Sequence, residues 1–478
     1  MTAYSTLDDE AFPMTIGGAL VPAAATCGVV DPATEAVFAQ APLATPAQLD
    51  AAVAAARAAQ PAWAARPWAE RQAVLGALAQ LHLTHQEELA RLLTREQGRP
   101  LPKARSEIAA AAWWYGEYAR MSLAPQVLQD TPAALVEVRR VPVGVVGAIV
   151  PWNFPIVLAA WKIAPALLAG NTLVLKPSPF TPLTTLRLGA LMQPLLPPGV
   201  LNVLSGDDAL GPWMTAHPGI DKVAFTGSTA TGRRVMQSAS ANLKRLTLEL
   251  GGNDAAIVMP DVDVEAVARE LFAGAFANSG QICIAAKRMF VHDAIYDRFA
   301  AVFAALAKAA RLGPGDQEGV DFGPVQNRPQ YERLVALLAD CKRRGHRFLA
   351  GGELPPGPGL FFPLTLLDDP PADAPVLQEE AFGPLRALIR FRDVDEAVAR
   401  ANASDYGLAG SVWCRDERLA LSIAARLQTG TVWISEIQTA SPHKPMAGHK
   451  QSGLGVENGE EGLREYTLPQ TISMKRAS

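Results

Sequence analysis

The residues of this chain best suited to chemistry are Cys283, in Asn278-Ser-Gly-Gln-Ile-Cys283, and Glu249, in Leu246-Thr-Leu-Glu249-Leu-Gly-Gly252. A cysteine thiolate is a strong nucleophile, and its reactivity depends on what lowers its pKa or takes its proton. Cys283 follows a Gly-Gln turn between Ile282 and Ile284; taken alone, such a cysteine is as a rule a small buried core residue. Glu249 places a carboxylate in an apolar strand. Burial would raise its pKa towards that of a useful base, whereas an isolated glutamate there favours a strand-edge acid facing water. In Pro151-Trp-Asn-Phe-Pro155 two prolines restrict the turn. They hold the Asn153 amide where it could donate to a developing oxyanion or to its own turn backbone.

Two further segments suggest a dinucleotide. Phe225-Thr-Gly-Ser-Thr-Ala-Thr-Gly232 follows a strand and opens a helix. Gly227 and Gly232 would let a ligand approach the backbone, and Ser228 could bond a phosphate at the helix N-terminus. A plain turn fits equally well, and the GxGxxG pattern is absent. Gln378-Glu-Glu-Ala-Phe-Gly-Pro384 offers either solvated surface acids or an acceptor for ribose hydroxyls.

These residues need elements to position them. From Gly147 to Leu250 the chain alternates strand and helix: Thr172–Lys176, Val200–Leu204 and Lys222–Thr226 read as strands with helices between. That rhythm predicts parallel strands with helical crossovers, a Rossmann-like unit. Beyond the Gly251-Gly252 junction the alternation resumes, with helices at Val262–Ala277, Ala294–Ala310 and Val394–Asn402 and strands at Met289–Val291, Leu408–Trp413 and Thr431–Ile434. Upstream, Ile16–Gly18 and Thr34–Val37 read as short strands. Thr45-Pro-Ala-Gln48 reads as a capping box opening an alanine-rich helix that ends near Pro61; more helix, with interruptions, runs from Pro67 to about Arg120. Gln126–Arg140 alternates as a strand exposed on one face. With Thr471–Lys475 it could pair between subunits or form a plain surface hairpin.

A chain of 478 residues exceeds one hydrophobic core, so two or three domains are expected. Hydrophobic content of 49%, 19% charged residues and a net charge of -4 give no reason to expect nucleic acid or an anionic membrane as partner. Cys27, Cys283, Cys341 and Cys414 are far apart and form no CxxC pair, so neither disulfides nor zinc are expected and a reducing compartment fits. No His/Cys/Asp cluster has the spacing of a metal site. Met1–Pro13, with Asp8, Asp9 and Glu10, lacks the pattern of a signal peptide. Val141–Trp161 is apolar but too rich in Pro and Gly for a membrane helix. A cytoplasmic protein is the expectation.

Taken together, the motifs resemble the NAD(P)-dependent aldehyde dehydrogenase superfamily over essentially the whole chain. They are PWNFP at 151–155, LVLKPS at 173–178, FTGST at 225–229, LELGG at 248–252, NSGQIC at 278–283, EEAFGP at 379–384 and GHKQSGLG at 448–455. Their order, and the interval from Glu249 to Cys283, are those of the family. GGNDAAIVMPDVDVE at 251–265 and ENGEEGLREYT at 457–467 are most similar to a bacterial subgroup with broad aldehyde substrates.

The resemblance implies an α/β, aldehyde dehydrogenase-like fold. A Rossmann-like cofactor domain would span 1–122 and 142–250, and an α/β catalytic domain 251–450. Residues 123–141 and 463–478 would form a small β oligomerisation element in a homodimer or homotetramer. It further implies that Cys283 attacks a small-molecule aldehyde, Asn153 and the Cys283 amide stabilise the oxyanion, and Glu249 activates water against the thioester. Lys162 and Glu457 would relay protons. Because coenzyme A-acylating relatives lack the Glu249 base, release of a free acid is expected.

By the same resemblance, Trp152, Lys176, Ser178, Pro179, Gly227, Ser228, Gly232, Leu250, Glu380 and Phe382 line the cofactor. NAD is the first choice; Pro179 stands where many NAD-preferring members have a glutamate, so NADP stays open. Phe154, Leu158, Trp161, Ile282 and Ile284 would form the substrate tunnel. Ala440 and Met446 stand where small-aldehyde enzymes carry aromatics, which implies a roomier pocket, with Glu436, Gln438, His443 and Lys444 as a polar rim. A cofactor-independent thiol esterase using Cys283 and Glu249, and a catalytically silent binding protein, are the competing readings.

Overall fold

The alternation of strands and helices between Gly147 and Leu250 closes into one sheet. In a computed structural model describing residues 11–476, its strands run in the spatial order 19–21, 14–16, 201–203, 172–176, 145–149, 222–226, 245–249 and 453–454. Residues 1–10 and 477–478 fall outside that description, and with them the acids Asp8–Glu10 and the outermost ends of segments 1–122 and 463–478. The five strands from 201–203 to 245–249 are parallel, and helices Pro155–Leu168, Leu183–Met192 and Thr229–Ala239 make crossovers between them. With both faces covered, the central strands have apolar middles, and Thr172–Lys176 and Lys222–Thr226 are buried at every position.

After Gly251-Gly252 the chain enters a second sheet, in the order 347–350, 365–368, 385–391, 288–292, 255–258, 409–413 and 431–434. Its strands are parallel except at the 347–350 edge. A separate apolar cluster forms on each of its faces. Ile282, Ile284, Leu408 and Met446 instead pack into the core of the first sheet, so the turn carrying Cys283 lies between the two.

The third sheet joins the two isolated segments. Thr467–Lys475 pairs antiparallel with Ala134–Pro142, which pairs with Gln126–Asp130. Val127, Leu128 and Met474 are exposed on it. Among the described residues no helix is long and apolar enough to cross a membrane.

Local expectations change at four places: Gly17–Gly18 is the turn between strands 14–16 and 19–21, and Gln126–Arg140 is two strands, 126–130 and 134–142, broken by a turn near Thr131. The helix opened by the Thr45–Gln48 capping box continues past Pro61 to Ala64. Its last turn carries the buried Trp63, whose Nε1 donates to Leu167 O at 3.1 Å, and this tertiary bond holds the turn beyond the proline. Thr34–Ala36 is a turn rather than strand, because Glu35 sits at φ 62° and reverses the chain between strands 26–30 and 37–42.

Candidate active site

The two prolines of segment 151–155 do what their geometry requires. Pro155 starts helix 155–168 and leaves the preceding turn at the C-terminal end of strand 145–149. Asn153 is buried there, and its Nδ2 donates to Gln281 O at 3.0 Å, not to its own turn. Gln281 lies two residues before Cys283, so this bond joins the turn to the nucleophile's segment. Asn278 and Ser279 adopt left-handed backbone conformations at φ 52° and 55°, unusual for residues with side chains. Asn278 Nδ2 donates to Asn153 O at 3.1 Å. The strained turn and the rigid turn therefore brace each other.

Glu249 ends strand 245–249, which runs between 222–226 and 453–454 and is not an edge. Its side chain does not face water: the residue is 3% exposed and its Oε1 has no hydrogen-bond partner among the described residues. Burial raises its pKa well above the ordinary carboxylate value. The charge of Glu457 adds to the effect and Lys162 opposes it. Lys162 and Glu457, far apart in the chain, form a fully buried ion pair at 2.6 Å, with Lys162 Nζ also donating to Thr226 Oγ1 at 2.8 Å. Burial likewise raises the Cys283 thiol well above its ordinary value. The Glu249 carboxylate adds to this and Lys287 acts in the opposite direction.

Cys283, Asn153, Phe154, Leu158, Trp161, Ile282, Ile284, Ala440 and Met446 line one cavity of about 910 Å³. Aromatic side chains form part of its wall: Trp114 stacks on Trp161 at 5.4 Å, and Trp113 and Phe322 also line it. The expected polar rim is corrected. Gln438 lines the cavity, but its Nε2 donates to Gly274 O at 2.7 Å. Glu436, His443 and Lys444 are not in the lining; Lys444 pairs with Glu436 at 3.6 Å and His443 with Glu117 at 2.8 Å.

The residues expected at the cofactor cluster along the C-terminal ends of the parallel strands, where ligands of such sheets bind. Lys176 is 5% exposed and has no carboxylate partner among the described residues. Its Nζ donates to Pro177 O at 3.3 Å, and burial depresses its pKa to about 8. Such an ammonium, short of acceptors, fits a hydroxyl-rich ligand. Ser178 is buried and Pro179 partly exposed beside it. Ser228 caps helix 229–239 by accepting from Thr231 N at 3.2 Å. Trp152 and Phe382 meet edge to face at 5.3 Å. Glu380 accepts from Gly252 N at 3.0 Å.

Packing within the chain also bears on the two glycines. A side chain at Gly232 would strike Leu250, and one at Gly227 the Phe225 ring, each at 2.5 Å. A side chain at either position would force its neighbour to shift. Among the described residues no cluster of His, Cys, Asp or Glu could hold a metal.

Sequence reasoning missed three parts of the site. Arg99 and Glu107 form a buried ion pair behind the 151–155 turn. Glu107 accepts from Ile156 N at 2.9 Å and Val157 N at 3.2 Å, capping helix 155–168, and the Arg99 guanidinium lies 4.3 Å over the Phe154 ring. Lys287 reaches back to the Cys283 backbone. Asp254, whose pKa burial pushes up to about 7, bonds the amides of residues 287 and 288 through its carbonyl. The one visible signal was a charged Lys287-Arg288 pair inside an apolar run.

Comparison with known proteins places the whole chain in one family. The profile of the "Aldehyde dehydrogenase family" matches residues 21–472. The chain is 40% identical to aldehyde dehydrogenase LUC3 of Fusarium sp, over 93% of this chain and 94% of that one. It is 37% identical to phenylacetaldehyde dehydrogenase of Pseudomonas fluorescens, over 96% and 95%. A solved NAD+ complex of aldehyde dehydrogenase from Bacillus cereus superposes with a TM-score of 0.96 at 36% identity, covering 98% of both chains. By its motifs, its fold and these relatives, the chain belongs to the aldehyde dehydrogenase family.

Proposed function

We propose that this protein oxidises an aldehyde to the free carboxylic acid with NAD+, through a covalent intermediate on Cys283. One observation carries the reading: Cys283, the Asn153 amide and an aromatic cavity of about 910 Å³ converge, with the buried Glu249 carboxylate acting on the same thiol. Cys283 Sγ adds to the aldehyde carbon, and the proton it loses passes to Glu249. Asn153 Nδ2 and the Cys283 N–H stabilise the oxyanion. When bound, the dinucleotide supplies the oxidant by accepting the hydride that leaves the substrate carbon. The Lys162–Glu457 pair carries that first proton onwards, so that Glu249, again a carboxylate, takes a proton from water attacking the thioester as the Cys283 thiolate leaves. Lys176 and Glu380 would hold the two riboses, Ser228 and Trp152 the pyrophosphate region, and Phe382 the nicotinamide side.

NAD is favoured over NADP despite Pro179, because the carboxylates of Asp208 and Asp207 act on Lys176 and would repel a 2′-phosphate. The cavity size and its aromatic lining support longer or aromatic aldehydes over acetaldehyde. The first sheet with its helices serves as the cofactor unit and the second as the catalytic unit. The exposed apolar residues of the third sheet support pairing between subunits in a homodimer or homotetramer. The four free cysteines support a reducing, cytoplasmic setting. A thiol esterase would leave the buried Lys176 without a purpose.

The test is NAD(P)H formation with a panel of aldehydes, in wild type and C283A, without coenzyme A. Turnover that C283A abolishes supports the reading. Ester hydrolysis without any cofactor reduction would replace it with the esterase.

A further inference from the structure

Two peptide units meet at the Cys283 Cα, and one side chain holds both. Lys287 Nζ donates to Ile282 O at 3.1 Å and to Cys283 O at 2.5 Å, and it pairs with Glu380 Oε1 at 3.4 Å. An ammonium has three N–H donors, and these three acceptors use them all. The lysine is itself anchored: its own amide and that of Arg288 donate to Asp254 O at 3.0 and 3.1 Å.

The Ile282 carbonyl and the Cys283 N–H belong to one planar peptide. Holding the carbonyl therefore sets the direction of the N–H. That N–H has no hydrogen-bond acceptor among the described residues. On the other side of the thiol, Asn153 Nδ2 is already oriented by Gln281 O. Burying an ammonium is costly unless it is paired and hydrogen-bonded, and a neutral amide could tie down an ordinary turn. The Lys287 side chain is 2% exposed, and its ammonium is met there by Glu380 and the two carbonyls.

We propose that Lys287 is a positioning residue that clamps both peptides of Cys283 and aims its N–H at the oxygen of the bound aldehyde; this rests on the aldehyde-oxidising reading of the site. The same charge faces the thiol together with the carboxylates of Glu249, Glu380 and Asp254. Removing it leaves three negative groups and no nearby compensation from Lys287, which disfavours the thiolate.

The test compares wild type, K287R and K287M in two assays on the full-length protein. The first is kcat and KM for aldehyde oxidation. The second is the pH dependence of Cys283 alkylation by iodoacetamide without cofactor, a reaction that uses no oxyanion hole. Arginine keeps the charge but cannot place three donors from a single atom. K287R should therefore lose about 10- to 100-fold in kcat, less than deletion of an oxyanion donor costs. Its KM should stay within about twofold and its alkylation profile should match wild type. K287M should add a shift of the alkylation profile to higher pH. An unchanged kcat in K287R overturns the proposal, as does a fall of alkylation and kcat by the same factor. If K287M does not fold, K287R decides alone. Wild type that reduces no cofactor with any aldehyde would instead refute the functional reading.

Discussion

Replacing Glu249 by glutamine should separate the two halves of the reaction. The side chain ends a buried strand with Oε1 unpartnered, and burial together with the Glu457 charge keeps its pKa well above 4.5. Glutamine keeps the shape and removes the proton acceptor. General-base catalysis contributes about 10²- to 10⁴-fold, so hydrolysis of the thioester should slow by that factor in E249Q. The first oxidation needs no activated water. Rapid mixing with aldehyde and NAD+ should therefore show a burst of about one NADH per active site, then a slow steady state.

In wild type the steady-state rate should climb as pH rises through the raised Glu249 pKa; that limb should be absent in E249Q. Stability carries the same sign. A folded pKa above 4.5 contributes stability that is fully present below 4.5 and lost as pH rises through the folded value. E249Q should thus melt at or above the wild-type temperature at neutral pH, with the difference closing below about pH 4.5. Equal slowing of first and later turnovers, or an unchanged steady state, would refute the assignment of Glu249 as the hydrolytic base.

Three other outcomes follow from the same geometry. N153A should lower kcat by about 10²- to 10³-fold with little change in aldehyde KM, since it deletes one oxyanion donor; steady-state kinetics check this. Lys176 loses its charge as pH rises through about 8, so KM for NAD+ should increase above that pH in wild type and be raised and flatter in K176M. A440F should fill part of the cavity beside Cys283 and raise KM for aromatic or long aldehydes by about tenfold or more while sparing acetaldehyde; equal effects on both substrates would contradict the placement of the tunnel.

Much of the site was legible without coordinates because its motifs are local. The prolines of 151–155 and the Thr45–Gln48 capping box are each encoded within a few residues, and each forms as its residues require. The Pro61 helix end was misread because the bond that overrides it, Trp63 to Leu167, is not local. Arg99, Glu107 and Asp254 were missed for the same reason: a charged residue looks solvated until its surroundings are known.

The sequence by itself determined the family, the strand–helix rhythm and the types of residue available: a thiol, a carboxylate, an amide between two prolines. Tertiary structure decided what they can do. Whether Glu249 faced water or protein was undecidable from one strand, and the neighbouring strand 453–454, together with the Lys162–Glu457 pair, places it in the interior. The Cys283 peptides acquired their clamp because Lys287 folds back on them while Glu380 arrives from a distant part of the chain. Local sequence encodes conformation through short-range sterics and capping, whereas pKa and orientation depend on burial and on charges brought close only by the fold.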